Sequence, residues 1–535
     1  MEPKLHTSNN YSLFVIIIFS LFSVAFSDTL YDNFLQCLTQ KTPNNSPQNI
    51  SSILFSQQNK QFTSVLQAYI RNLRFSSPTT PKPLLIITPL NPTQVSTAVI
   101  CSNKLGLHVK IRSGGHDYDG LSYISDDPFV ILDMINLRTI KITVNSDSAT
   151  AYMEAGATLG ELYHAIQAKS NVYGFPAGVC PTVGVGGHVS GGGYGNMIRK
   201  YGLSVDHIVD AQVVDYTGRI LNRKTMGEDM FWAIRGGGGA SFAVILSFTV
   251  NLVRVPETVT VFNVKRFQSD NATDLVYKWQ SVMKNIDHNL FIRLLLQPVT
   301  DPKNKGKKTA RVTFISLYLG NSDDLVTVLG NELPELGIKK QDCLEMSWAK
   351  SVLFWANFDN TTSVDVLLNR TYDADYGKRK SDYVQNPISK PDLELLWKKL
   401  VELDKPGLVF NSYGGIMNEI ADNATPFPHR NGNLYKIQYS ISWHDAGGIA
   451  DSKNIGLIRE LYSFMEPYVS QNPRGTYLNY RDVDIGVARN WTYNEGQVYG
   501  RKYFLGNFDR LVKVKTLVDP NNFFRNEQSI PTLRS

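Results

Sequence analysis

Apolar and polar positions change their period several times along this chain. Between residues 83 and 170 short apolar runs alternate with amphipathic stretches. LLIITPL, HVKIRSGG, FVILDMINL and ATAYMEAGAT predict strands, while 93–105 and LGELYHAIQAKS place apolar residues at helical spacing. This β-α-β-β-α order fits a unit built to present strand–helix turns. Upstream, residues 28–75 read as helical, with Leu30, Phe34 and Leu38 on one face, interrupted by the polar loop TPNNSPQNIS. A glycine-rich block spans 174–202, and Arg235-Gly-Gly-Gly-Gly239 opens the buried strand SFAVILSFTVNLV. After Pro256 the glycines thin out, and VTVFNVKRF, ARVTFISLYLG and LYKIQYSISW alternate like half-exposed strands, with helices such as DLELLWKKLVEL between them. That block predicts an antiparallel sheet with helices. YLNYRDVDIG and a helical YFLGNFDRLVKVKTLVDP close the chain, and no internal repeat is visible.

The N-terminus carries an address. Lys4 and His6 precede an apolar stretch over 11–26 that ends Ala25-Phe26-Ser27. A basic region, a short apolar core and small residues at the exit predict a secretory signal over 1–27. A membrane anchor fits less well, since the run is shorter than about 18 residues and contains serines. Seven N-x-S/T sequons follow, at Asn44, Asn49, Asn271, Asn360, Asn369, Asn423 and Asn490, as expected of an exported glycoprotein. Cys37 and Cys101 could pair in that oxidising route, whereas Cys180 and Cys343 stand in different contexts.

Composition narrows the chemistry. The 535 residues carry 54 Lys+Arg against 48 Asp+Glu, so the net charge of +6 is mild and argues against nucleic-acid binding. The lysines at 303, 305, 307 and 308 read as a solvated turn. Four cysteines exclude a disulfide framework and a multi-cysteine metal site, and no metal is expected. Seven of the twelve residues from Gly184 to Gly195 are glycine, a density that lets backbone amides approach an anionic ligand. The Rossmann spacing fails: Val189, Asn196 and Ser241 stand where each third glycine should be. Walker A, G-x-S-x-G and H-E-x-x-H are missing as well. Three glycine clusters therefore point to an extended diphosphate cofactor bound in another manner.

Four motifs carry a family resemblance: Arg112-Ser-Gly-Gly-His116-Asp-Tyr-Asp-Gly, Gly178-Val-Cys180-Pro-Thr-Val-Gly-Val-Gly-Gly-His188, the RGGGG strand, and Asn479-Tyr480-Arg-Asp-Val-Asp with VDPNNFFRNEQSIP. Together they resemble the plant berberine bridge enzyme-like family of secreted flavoproteins. The resemblance implies an α+β fold: a two-lobed PCMH-type FAD-binding domain over 28–255, a substrate domain with a large antiparallel sheet over 256–468, and a C-terminal segment over 469–535 that returns to the FAD domain. It implies FAD bound covalently twice, by His116 and Cys180, with Arg112, Ser113, Gly114, Gly115, Gly184, Gly186, Gly187, His188, Gly191 and Asn479 around it. Imidazole and thiolate are the nucleophiles such bonds need, and an electropositive pocket would activate the thiol. It pairs Cys37 with Cys101 and leaves Cys343 as a buried free thiol.

The same resemblance makes Tyr480 the catalytic base and Tyr194 a second active-site tyrosine. Lys436 and Gln438 share one face of a strand and match the alcohol-oxidising branch, in which the lysine holds a tyrosine as tyrosinate. Val183 takes the position of an oxygen gate, where valine goes with fast reoxidation by O2. Two residues depart from the family pattern, Ala243 for a glycine and Tyr499 for a tryptophan. Aromatic residues at 194, 413, 435, 443 and 480 suggest a small planar aromatic or prenylated substrate. The expectation is a secreted, monomeric FAD-linked oxidase, reaching the apoplast, cell wall or vacuole, that dehydrogenates an allylic or benzylic alcohol or a prenylated phenol and releases H2O2. A non-redox FAD-containing pericyclase and a carbohydrate oxidase are the alternatives. No nucleic acid or membrane partner is expected once the signal is cleaved.

Overall fold

The computed structural model describes residues 29–42 and 50–533. The signal segment and the sequons at Asn44 and Asn49 lie outside them. A four-stranded sheet, in the order Leu54–Ser56, Leu85–Ile87, Phe129–Asp133, His108–Arg112, has its last three strands parallel. These three are the apolar runs of the first glycine-bearing unit, and Pro92–Lys104 crosses between two of them. The helix over 29–41 is fastened to that crossover by the Cys37–Cys101 disulfide. Helical spacing does not continue to residue 75: Leu54–Ser56 is instead a short antiparallel edge strand on Leu85–Ile87. Three residues are too short a run to show a period.

A second, fully antiparallel sheet runs Ile140–Val144, Ala149–Glu154, Val244–Asn251, Ile208–Val214, Ile220–Leu221. The third has seven antiparallel strands: Leu344–Met346, Val259–Phe267, Lys308–Tyr318, Leu290–Thr300, Gly407–Ser412, Tyr435–Trp443 and Tyr376–Val384. Its side chains alternate between two faces. Tyr435, Ile437, Tyr439, Ile441 and Trp443 join a core beneath Ala272–Val282, Lys390–Leu403 and Gly448–Phe464. Phe291, Tyr383 and Tyr413 belong to the core shared with the second sheet. The architecture is α+β.

The last helical run is two helices, Tyr493–Phe504 and Phe508–Val518, broken where Leu505 adopts φ 45°. The second returns to the glycine-rich lobe, and Lys515 is its anchor. The Nζ donates to Ser241 O and Phe524 O at 2.7 Å and to Asp519 Oδ2 at 2.5 Å. Asp519 in turn accepts the amides of Phe523 and Phe524. The five described sequons are all exposed. Cys343 is half-buried rather than buried, and its surroundings push the thiol up to about 11. Lys515→Met would strand a buried carboxylate; the expected loss is about 3–5 kcal/mol of unfolding free energy in chemical denaturation. A loss below about 1 kcal/mol would contradict the anchoring role.

Candidate active site

A cavity of about 460 Å³ draws its lining from the four-, five- and seven-stranded sheets and from the C-terminal segment. The strand His108–Arg112 delivers the turn Ser113-Gly-Gly-His116 against the second glycine run. A Cβ on Gly114 would stand 2.3 Å from Gly184 N, and one on Gly115, at φ 68°, would stand 2.0 Å from Tyr69 O. Only glycines allow this approach, and it brings His116 and Cys180 into one cavity. Ser113, Gly184, Gly186, His188, Gly191 and Asn479 line it too. Gly187 differs from its neighbours: it is exposed on the lining, and a Cβ there meets nothing within 4 Å.

His116 Nε2 lies 3.0 Å from Thr182 Oγ1, and Tyr372 packs edge-on at 5.1 Å. Burial, with Arg71 adding to it, brings the imidazole down to about 3, so it is neutral and keeps a free lone pair. Cys180 is a free thiol exposed to the cavity. Enclosure by the surrounding protein pushes it up from its ordinary value, against the pull of Arg293. The activated thiolate expected from the sequence is thus not produced by the protein's own field. Val183 is half-buried on the lining, its amide donating to Cys180 O at 3.3 Å. His188 Nε2 accepts from the Gly178 amide at 3.1 Å, and Asn479 Nδ2 donates to His188 O at 2.8 Å.

Arg112 does not serve the cavity. Its guanidinium is fully buried, pairs with Asp133 Oδ2 at 2.6 Å, and donates to Leu66 O and Val65 O. The strand's alternation turns it away while Ser113 reaches the lining. Ala243 lines the cavity, whereas Tyr499 does not, its hydroxyl being spent on Ser529 O at 2.6 Å.

On the opposite wall Tyr194 Oη and Tyr480 Oη are 2.5 Å apart. Lys436 lies behind them, fully buried, with Nζ 3.1 Å from the Tyr194 ring centroid, 3.9 Å from Tyr477 and 4.5 Å from Tyr480. Among the described residues its Nζ has no hydrogen-bond partner, so ring faces rather than phenol oxygens receive the charge. Burial drives Lys436 well below its ordinary value, with Arg293 adding to the effect. Burial likewise raises the Tyr480 phenol, helped by Tyr194 and Tyr118 and opposed by Arg293. Gln438, on the same strand face as Lys436, donates from Nε2 to Tyr118 Oη at 2.8 Å.

Sequence reasoning missed Tyr118, Tyr372, Tyr477, Arg293 and Arg379, all of which line the cavity. Arg293 sits in register with Asn411, and Asn411 with Lys436, so one row of the sheet aims three polar groups at the cavity side. Arg293 Nε donates to Asn411 Oδ1 at 2.8 Å, and neither Arg293 nor Arg379 has a carboxylate partner among the described residues. One charge inside the apolar run LFIRLLL was the available signal. Conversely Tyr435 and Trp443 face the helices and Tyr413 is buried off the lining, so of the five expected aromatics only Tyr194 and Tyr480 line the cavity, joined there by Tyr118, Tyr372 and Tyr477.

Residues 83–223 match the FAD binding domain model, and 476–531 match the berberine and berberine like model. Berberine bridge enzyme-like 21 of Arabidopsis thaliana is 57% identical over 515 residues, covering 95% of this chain and 94% of that protein. The solved structure of BBE-like #28 from the same plant superposes with a TM-score of 0.87 at 44% identity, covering 94% and 99%. A grass pollen protein, Phl p 4, superposes with a TM-score of 0.87 at 41% identity and the same coverage; its wild type is a glucose dehydrogenase and an isoleucine-to-valine variant is a glucose oxidase. The glycine cradle, the open side of Gly187 and the cations Arg481 and Arg525 on the lining suit a flavin dinucleotide. Gly187→Leu, whose Cβ meets no protein atom, is expected to melt within about 2 °C of the flavin-free native protein yet purify without flavin absorbance; normal flavin content would contradict the cradle. With family models on the glycine-rich lobe and on the C-terminal segment, and identity of more than half along nearly its whole length, the chain belongs to the berberine bridge enzyme-like family of FAD-binding oxidoreductases.

Proposed function

We propose that the chain is a secreted oxidase that removes hydrogen from an alcohol carbon of a hydroxyl-rich substrate, with FAD bonded to His116 and Cys180. The observation that carries this reading is the Tyr194–Tyr480 contact of 2.5 Å, backed by Lys436 and facing the same cavity as His116 and Cys180. FAD supplies the hydride acceptor and, on reoxidation by O2, the route to H2O2.

The chain supplies the rest. Tyr480, as the phenolate, takes the hydroxyl proton and becomes the neutral phenol; before that transfer the short bond to Tyr194 spreads the phenolate charge over both oxygens. Arg293 opposes the burial that otherwise keeps the phenol protonated, and Lys436, in its protonated form, would favour the phenolate from behind the rings. Gln438 and the Tyr118 hydroxyl orient the substrate, and the neutral His116 has the lone pair that a bond to carbon requires.

The wall opposite the glycine turns supports a polar substrate. From the seven-stranded sheet Arg293, Arg379 and Gln438 reach the lining, whereas Tyr435, Tyr439 and Trp443 point into the helical core. Those three polar groups favour a carbohydrate-like alcohol, whose ring faces the lining tyrosines Tyr118, Tyr194, Tyr372, Tyr477 and Tyr480 can also meet. The glucose dehydrogenase activity of the grass pollen protein supports the same direction. Anaerobic mixing with neutral sugars, uronic-acid oligosaccharides, monolignols and prenylated phenols tests it: bleaching of the flavin by a sugar supports the reading. Reduction by phenolic alcohols alone would overturn the substrate class. Product formed with no bleaching would overturn the oxidase and indicate a pericyclase.

Val183 lines the cavity next to Cys180, and a small side chain there leaves room for O2. In the grass pollen protein one isoleucine-to-valine change separates a dehydrogenase from an oxidase. Val183→Leu is expected to slow flavin reoxidation about tenfold or more while leaving anaerobic reduction within about twofold. Equal reoxidation rates would sink the gate assignment.

A further inference from the structure

The edge strand Tyr376–Val384 of the seven-stranded sheet carries an unusual alternation. Arg379 and Tyr383 belong to the cavity side, and Lys378 and Lys380 point to the other. Both lysines are almost fully buried, with side-chain exposures of 2% each. A buried ammonium is costly unless carboxylates meet it, and three do, from two other parts of the chain. Lys378 Nζ is 2.6 Å from Asp119 Oδ2 and 2.7 Å from Asp482 Oδ1. Lys380 Nζ is 2.6 Å from Asp482 Oδ2 and 2.8 Å from Asp484 Oδ2. Asp119 also accepts the Val483 amide at 2.9 Å, and Arg459, from the covering helix Gly448–Phe464, closes on Asp484 at 2.5 Å.

Each carboxylate sits within four residues of an active-site group. Asp119 follows Tyr118, and Asp482 and Asp484 follow Tyr480. The segment bearing Tyr480 therefore passes around the free edge of the sheet, its phenol on the cavity side and its carboxylates gripping the lysines beneath. Tyr118 and Tyr480, at a ring separation of 5.5 Å, are the pair so fixed.

We propose that Lys378 and Lys380 are positioning residues that act through Tyr480: the ionic clasp sets where the phenol stands against Tyr118, Tyr194 and the substrate. The inference rests on Tyr480 acting in the reaction. It extends that reading to residues outside the cavity lining.

The test is the rate of anaerobic flavin reduction by a turned-over substrate in two backgrounds. Lys378→Met is expected to slow reduction about tenfold in the otherwise native holoenzyme and less than about twofold in Tyr480→Phe, because a displaced phenol and an absent one are equivalent. Arg459→Ala, at the exposed end of the clasp, keeps the test usable if Lys378→Met does not fold; about two- to threefold loss is expected in the native background and none in Tyr480→Phe. Equal fold-losses in both backgrounds, or no loss in the native one, would overturn the clasp while leaving Tyr480 in place. Unimpaired reduction by Tyr480→Phe itself would overturn the role of Tyr480 and the clasp together.

Discussion

The structure depends on the approach of two glycine turns, Gly114 against Gly184, at a distance no Cβ permits. The first turn ends a parallel strand of the four-stranded sheet, and the second leads from the loop of Cys180 into Val185–Ser190. Because they touch, one cavity holds both nucleophilic side chains, and the density of glycine in the sequence acquires distinct causes. Gly114, Gly184 and Gly186 lack a side chain because protein backbone occupies the space. Gly187 lacks one with no protein atom in the way, which leaves the cavity open for a ligand.

The opposite wall is governed by period two. In the strand Tyr435–Trp443 the odd positions build the helical core and the even ones, Lys436 and Gln438, meet the cavity side. The same alternation selects Arg293 from an apolar run and places Lys378 and Lys380 under the sheet edge. A single slip of register would exchange a lysine for a tyrosine behind the phenol pair. The C-terminal segment joins the walls, since Tyr480 enters the cavity while Lys515 and the carboxylates after Tyr480 fasten its chain to both lobes.

Much of this was legible in the sequence where local pattern decides it. The strands around His116, the helix Pro92–Lys104 and the strands after Pro256 follow from spacing, although these last are buried on both faces for much of their length rather than half-exposed, and the glycine turns follow from the motifs. What sequence pattern could not supply was direction. Arg112 shares a motif with His116 yet points into the core toward Asp133, and Tyr435 and Trp443 share a strand with Lys436 yet face the helices. Long-range pairings such as Lys378 with Asp119 join residues far apart in the chain and leave no local trace. Burial also reversed an expectation about charge: the thiol of Cys180 and the phenol of Tyr480 are both pushed toward their neutral forms.

The central claim is that charge on Lys436, despite the burial that lowers its own pKa, holds enough of the buried Tyr480 phenol as phenolate to take a proton. Burial raises the Tyr480 phenol above its ordinary value, so below that point the deprotonated fraction grows about tenfold per pH unit. A cation behind the rings moves the titration down, and removing it moves the titration up. The pH dependence of anaerobic flavin reduction, compared between the native protein and Lys436→Met, measures this directly. The account predicts a rate that rises with pH and a rise displaced to higher pH in the variant; coincident profiles, or a rate that falls as pH rises, would contradict it.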